Sequence, residues 1–232
     1  MMPTSSKLRR SDFSLVSTTP VRIVGTSVAL AVAGLIFGAL VSAANHSPGL
    51  LVASKVVGVG WSWAALGIIV ALATKRRPTA IVASVLVAAV AGYYISEVSI
   101  GVYTTINFDS PLTYIDPANA PQVVLWSGVL VDFTAWTAVA ILVSHPLAII
   151  GAATARLDAW GLVARMVIPI GASTEMLILK LPFELAVQPN LTTVRTYLSV
   201  AIVGLGAAAI LYLLHLRYIR THADTPSITD VL

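Results

Sequence analysis

Apolar positions in this chain fall into six long runs separated by short polar breaks. The first, Ile23–Ala44, follows a polar segment carrying Lys7, Arg9, Arg10 and Arg22, and it ends at Asn45-His46-Ser47-Pro48-Gly49. The second covers Leu50–Thr74 and is closed by Lys75-Arg76-Arg77-Pro78. The third runs from Thr79 to Tyr103, before a turn-rich loop, 104–121, that carries Asp109 and Asp116. The fourth begins near Gln122 and reaches His145-Pro146, with a proline kink if it continues to Ala152. The fifth, Ala159–Leu181, is interrupted by Pro169, and after a loop the sixth covers Val194–Leu216. A membrane-crossing helix needs roughly 20 apolar residues. The pattern therefore predicts an all-α, polytopic transmembrane bundle of six spans over 23–216, between an amino-terminal segment, 1–22, and a tail, 217–232.

Composition agrees with the pattern. Of the 232 residues, 57% are hydrophobic and 10% charged, with a mean hydropathy of +0.90. Soluble domains carry about 25% charged residues, so lipid is the solvent that suits this chain. Its six runs leave no stretch long enough to bury a second, soluble core. The absence of cysteine removes disulfides, thiol catalysis and cysteine-ligated metal centres from consideration.

The net charge of +4 does not imply a nucleic-acid partner, because the basic residues flank apolar runs and form no stripe interleaved with aromatics. Their distribution sets an orientation instead. With the amino terminus inside, Lys7, Arg9, Arg10, Arg22, Lys75, Arg76, Arg77, Arg156, Arg165, Arg217 and Arg220 all fall on the cytoplasmic side. The opposite side then keeps Arg195, with Lys55 and Lys180 near the outer ends of spans. Both termini are expected in the cytoplasm and the chain in the cell membrane. Arg9-Arg10 and the later Ser42-Ala43-Ala44 resemble a cleaved twin-arginine signal. The residues Ser11-Asp12-Phe13 fit that signal poorly, and the run exceeds the 7–15 residues of a signal core. The first run is expected to remain as a span.

Within the spans, Gly34-x-x-x-Gly38 reads as a close-packing motif between helices, inside one chain or across a dimer. Gly58, Gly60, Gly204 and Gly206 read the same way. Trp61, Trp63, Trp126, Trp136 and Trp160 read as interfacial anchors or packing residues. The informative residues are ionisable. Asp132 is placed near mid-membrane, Glu97 and Glu175 in the outer half, and Lys55 and Lys180 nearer the outer surface. An ionised side chain at the bilayer centre costs about 2.5–3.5 kcal/mol on insertion scales, so such groups are paired, turned inward or facing water. Two readings stay open. The five residues form interhelical salt bridges, or they line an outward-facing cavity that binds a ligand.

Enzyme constellations are missing. His46, His145, His215 and His222 fall on opposite sides of the membrane and make no metal cluster, and there is no HExxH, GxSxG or nucleotide-binding motif. The chain is expected not to be an enzyme and to use no cofactor.

The combination of Trp61-x-Trp63-Ala64, Gly92-Tyr93-Tyr94 with Glu97, Trp126, Gly128 and Glu175 resembles an uncharacterised actinobacterial family of small multi-pass membrane proteins. The likeness extends over most of residues 40–220. That family has no assigned activity, so the resemblance implies a bacterial source and a fold but no mechanism. A second, architectural resemblance is to the compact six-span anti-sigma regulators of antibiotic-producing actinobacteria, although this chain lacks the histidine/cysteine zinc motif of the soluble anti-sigma domain. Two function classes follow. One is a non-catalytic, transport-related or ligand-binding protein: a permease, an immunity protein, or a transporter subunit whose ATPase is a separate partner. The other is a membrane regulator or scaffold holding a cytoplasmic protein.

Overall fold

The computed structural model describes residues 20–74, 78–187 and 189–223, with side chains from residue 25 to residue 221. The expectations resting on Lys7, Arg9, Arg10, Arg22, Lys75, Arg76, Arg77, His222 and the last nine residues lie outside what it describes. The chain is almost entirely helical. Helix α1 spans Pro20–His46; α2 (Leu51–Val57) and α3 (Gly60–Ala73) follow; α4 is Pro78–Ser99. A small structure between helices comes next, made of β1 (Thr104–Ile106), the single turn α5 (Leu112–Ile115) and β2 (Gln122–Val124). The remaining helices are α6 (Trp126–Ala153), α7 (Ala159–Thr174), α8 (Leu181–Val187) and α9 (Leu191–Ala223), with a π-helical segment, Glu175–Lys180, joining α7 to α8.

Five continuous helical stretches are long and apolar enough to cross a membrane: 25–46, 78–99, 126–153, 159–187 and 191–221. Their outward faces are apolar as well, with Leu142 74% and Val203 70% exposed. Only lipid makes such a surface stable, so the chain is a helical membrane protein. A sixth crossing requires α2 and α3 to act together, and they are bent by 59° across Gly58–Val59. The second apolar run, expected to be one continuous helix, is thus interrupted, in the manner of a broken span or a re-entrant loop. The expected loop after Leu181 is also corrected, because helix continues through the π segment to Val187.

The apolar positions 122–125 were expected to open the fourth span. Instead they pair with the end of the preceding segment: β1 and β2 are antiparallel, Thr105 opposite Val123. Helix α6 starts at Trp126, so Asp132 lies only about 9 Å into it at 1.5 Å per residue.

Packing is densest between α1 and α4. A Cβ on Gly34 or Gly38 would run into the carbonyls of Val85 or Ala89, and one on Gly92 would meet the Leu35 carbonyl. The glycines thus let two backbones touch, and Gly34-x-x-x-Gly38 is spent on packing within the chain. Positions 34, 38, 42 and 46 form one stripe at four-residue spacing, facing the stripe 85, 89, 93 and 97. Ascending numbers meet ascending numbers, so α1 and α4 run parallel. Gly204 likewise abuts Pro169 and Ser173, whereas nothing approaches Gly206, and Gly58 and Gly60 flank the break.

Helices α1, α3, α4 and α6 share a core around Ile68, Val82, Val85, Leu86 and Leu147. Helices α7 and α9 pack together, with Val59, Met176, Tyr197 and Ala201 forming a second cluster. The broken span bridges the groups, α2 against α9 and α3 against α4 and α6. At the turn between α6 and α7, Asp158 accepts from the Gly161 N–H and caps α7. Its hydrogen bond to Arg156 and that cap hold its carboxyl below the ordinary range. The cap therefore holds at neutral pH and is lost as the pH falls through that lowered value.

Gly38→Ala should destabilise the protein by about 1–3 kcal/mol through overpacking, with Gly206→Ala as the open-space control. Thermal melting in mild detergent, followed by size-exclusion, reads both. Equal melting temperatures would refute the contact.

Candidate functional site

A cavity of about 640 Å³ lies where the break in the second span faces α1, α4 and α6. Its walls are the break itself (Gly58, Val59, Gly60), Asn45 of α1, the aromatic rings of Trp63, Tyr93, Tyr94, Tyr103 and Trp136, and Glu97 of α4. The size is that of an ordinary small-molecule site.

Glu97 is 4% exposed. Its Oε1 accepts from Ser42 Oγ at 3.0 Å and lies 2.9 Å from His46 Nε2, both delivered by the α1 stripe that the glycines bring close. A buried carboxylate needs such donors. Asn45 supports the same wall: its Nδ2 donates to Tyr93 Oη at 3.3 Å, while its Oδ1 would lie only 2.6 Å from a Cβ on Gly58.

The break is held by side chains. Breaking a helix frees backbone donors and acceptors, and in an apolar medium each needs a partner. Glu175 supplies two acceptors to the start of α3, Oε1 to the Gly60 N–H at 2.9 Å and Oε2 to the Trp61 N–H at 2.8 Å. Its charge also suits the positive end of the helix. Ser62 Oγ lies 2.5 Å from the Val57 carbonyl and 2.7 Å from that of Val59, so its proton serves the acceptors released across the break. The Gly58 N–H donates to the Ser54 carbonyl.

The five ionisable residues singled out from the sequence are therefore not one cluster. Glu97 lines the cavity, and Glu175 stands behind Gly60 at its edge. Asp132 is on an exposed face and accepts from Tyr103 Oη at 2.7 Å, so it reaches the cavity only through the Tyr103 ring. Lys55 and Lys180 are half-buried. The salt bridges expected between these lysines and the three acids are not formed among the described residues, whose ion pairs are His46–Glu97 and Arg156–Asp158. Hydroxyls, a histidine and backbone N–H groups take the place assigned to lysine. No group of three or more His, Cys, Asp or Glu side chains able to hold a metal occurs among the described residues.

Sequence reasoning passed over Ser42, His46, Asn45 and Ser62 as site residues. The four-residue spacing from Gly34 through Gly38 to Ser42 and His46 was a usable signal. For the Glu175 cap there was none, since its partners are 114 and 115 residues away.

Fold and site together define a polytopic helical membrane protein with a largely apolar, aromatic-lined cavity that holds one carboxylate and lies at a helix break. No known protein family, curated protein or solved structure matches the chain.

Glu175→Ala should lower stability by more than the about 0.5–2 kcal/mol of a water-exposed helix cap, because it leaves two amides unpaired in an apolar medium, with Glu175→Gln losing less because its amide oxygen still accepts. Amide exchange at Gly60 and Trp61 should accelerate in the alanine variant ahead of the rest of α3. Unchanged exchange at both amides would show that the carboxylate does not hold the break.

Proposed function

We propose that this chain is a ligand-binding, transport-related protein of the cell membrane, with the cavity at the broken span as its site. One observation carries the reading: a buried carboxylate, Glu97, lines a cavity that is also lined by interrupted helix. Irregular backbone at membrane depth is tolerated where it is buried in protein or lines a cavity, and discontinuous helices form the binding sites of many secondary transporters. A burial costly in lipid has a use if the group meets a ligand.

The protein crosses the membrane six times in this reading, with both termini inside. The parallel course of α1 and α4 supports it, because the chain between them must return to the side from which α1 started. Arg165 supports the orientation, its Nε donating to the Thr154 carbonyl at 2.9 Å and a terminal nitrogen to that of Arg156, so its charge is carried back to the α6–α7 turn.

A solute panel tested by thermal shift in nanodiscs examines the site. A true ligand at a hundredfold excess over its Kd should stabilise the wild type by about 2.7 kcal/mol. It should have little effect on Ala64→Trp, which fills the cavity, or on Glu97→Gln. A ligand that protects all three proteins equally binds elsewhere and refutes the site. Topology is checked separately by reporter fusions. Those at Asn45, Asp116 and Asn190 should report outside, and those at Arg77, Arg156 and the tail inside. A cytoplasmic signal at Asp116 would overturn the six-span arrangement.

A further inference from the structure

Resting on that reading of the cavity, we propose that its ligand is a small organic cation, an amine or quaternary ammonium group. Three observations converge. First, Glu97 is the one Asp, Glu, Lys, Arg or His side chain among the described residues lining the cavity. Ser42 Oγ and His46 Nε2 both engage its Oε1, and a charge on that imidazole would offset one of the three carboxylates around the cavity and leave two.

Second, the surroundings add negative charge. Glu175 binds the Gly60 N–H directly behind the wall, and Asp132 binds the Tyr103 hydroxyl, whose ring is part of the wall. Neither acid is ion-paired to a lysine or arginine among the described residues. A low-dielectric recess bordered by one sign of charge concentrates the opposite sign.

Third, the rest of the wall suits a poorly hydrated cation. Trp63, Tyr93, Tyr94 and Tyr103 form a connected belt, with neighbouring ring centroids 6.3, 5.5 and 6.1 Å apart. Trp136 completes the lining from α6. Ring faces attract ammonium and alkylammonium groups and repel anions. An anion would also find no basic side chain among the described lining residues. A sugar would find few polar groups beyond Asn45 and the tyrosine hydroxyls. The ammonium can come from a dissolved amine or from a lipid headgroup, and the recognition chemistry is the same.

The chain has no cysteine, so Ala64→Cys places a single thiol in the cavity and Ala118→Cys a reference thiol on the exposed outer loop. Three methanethiosulfonates serve as probes: the neutral methyl reagent, the trimethylammonioethyl cation and the sulfonatoethyl anion. The neutral reagent should label both positions. The cation-to-anion rate ratio at Ala64→Cys should exceed that at Ala118→Cys by about tenfold or more, and adding Glu97→Gln should collapse the difference. Choline should slow neutral labelling of Ala64→Cys while its uncharged analogue 3,3-dimethylbutanol does not, and Trp63→Leu should weaken that protection. Protection by choline in phosphatidylglycerol nanodiscs identifies a dissolved amine. Protection that appears only when phosphatidylethanolamine is included identifies a headgroup. Equal charge ratios at the two thiols would overturn the cation assignment while leaving the cavity as a site. Failure of the neutral reagent at Ala64→Cys alone would overturn the cavity reading and this assignment together. Should Glu97→Gln fail to fold, the wild-type ratios and choline protection still decide.

Discussion

Backbone polar groups have nowhere to go in lipid, and the architecture around the second span follows from that constraint. Opening a helix at Gly58–Val59 releases amides and carbonyls, which cost several kcal/mol each if left unpaired in hydrocarbon. Glu175 takes the Gly60 and Trp61 amides and Ser62 shares its proton with the Val57 and Val59 carbonyls. Two acceptors on one carboxylate can satisfy two adjacent amides, which an amide or hydroxyl side chain does less well. The requirement reaches into the fifth span. Glu175 opens the π-helical segment that runs to Lys180, and Met176, the next residue, is fully buried beside Val59. A change of helical pitch adjoins the residue that grips the break, as π-bulges commonly do at functional positions.

The second organising contact, the α1–α4 seam, turns close approach into chemistry. Gly34 and Gly38 let α1 lie against Val85 and Ala89. The same stripe, continued by whole turns, brings Ser42 and His46 to Glu97. Larger residues at 34 or 38 would separate the helices along the whole seam, and Glu97 would lose its donors without being touched. Packing and electrostatics are here one feature seen at two heights in the membrane.

Much of this was legible in the sequence. Long apolar runs announce spans because lipid demands them, and small residues four apart announce close packing. A carboxylate in an apolar run stands out for the same reason, as Glu97 and Glu175 do. The break was not legible. Gly58 and Gly60 lie in an apolar run, and glycine in a membrane helix serves packing as readily as interruption. The start of α6 was misplaced because Val123, Val124 and Leu125 are as apolar in a β-ladder as in a helix. Pairing the acids with lysines failed for a related reason. Charge counts do not distinguish a cation from a helix amino terminus, and Glu175 found the latter.

The two organising contacts divide the cavity wall. Glu97, Tyr93 and Asn45 belong to the α1–α4 seam, where backbone touches backbone and small displacements meet hard repulsion. Val59 and Gly60 belong to the break, held to the α7–α9 pair by Glu175 and by the cluster of Val59 with Met176 and Tyr197. Glu97 and the interrupted backbone therefore line one space from two separately held groups of helices. A ligand shifts a conformational equilibrium only through a difference in its affinity for the two states. Rotation of α3 about the 59° bend would alter the distance from Glu97 to the facing wall while leaving the carboxylate's own hydrogen bonds intact. Such a rotation would also have to release Glu175 from Gly60 and Trp61, which would couple the shape of the cavity to the packing of α7 and α9.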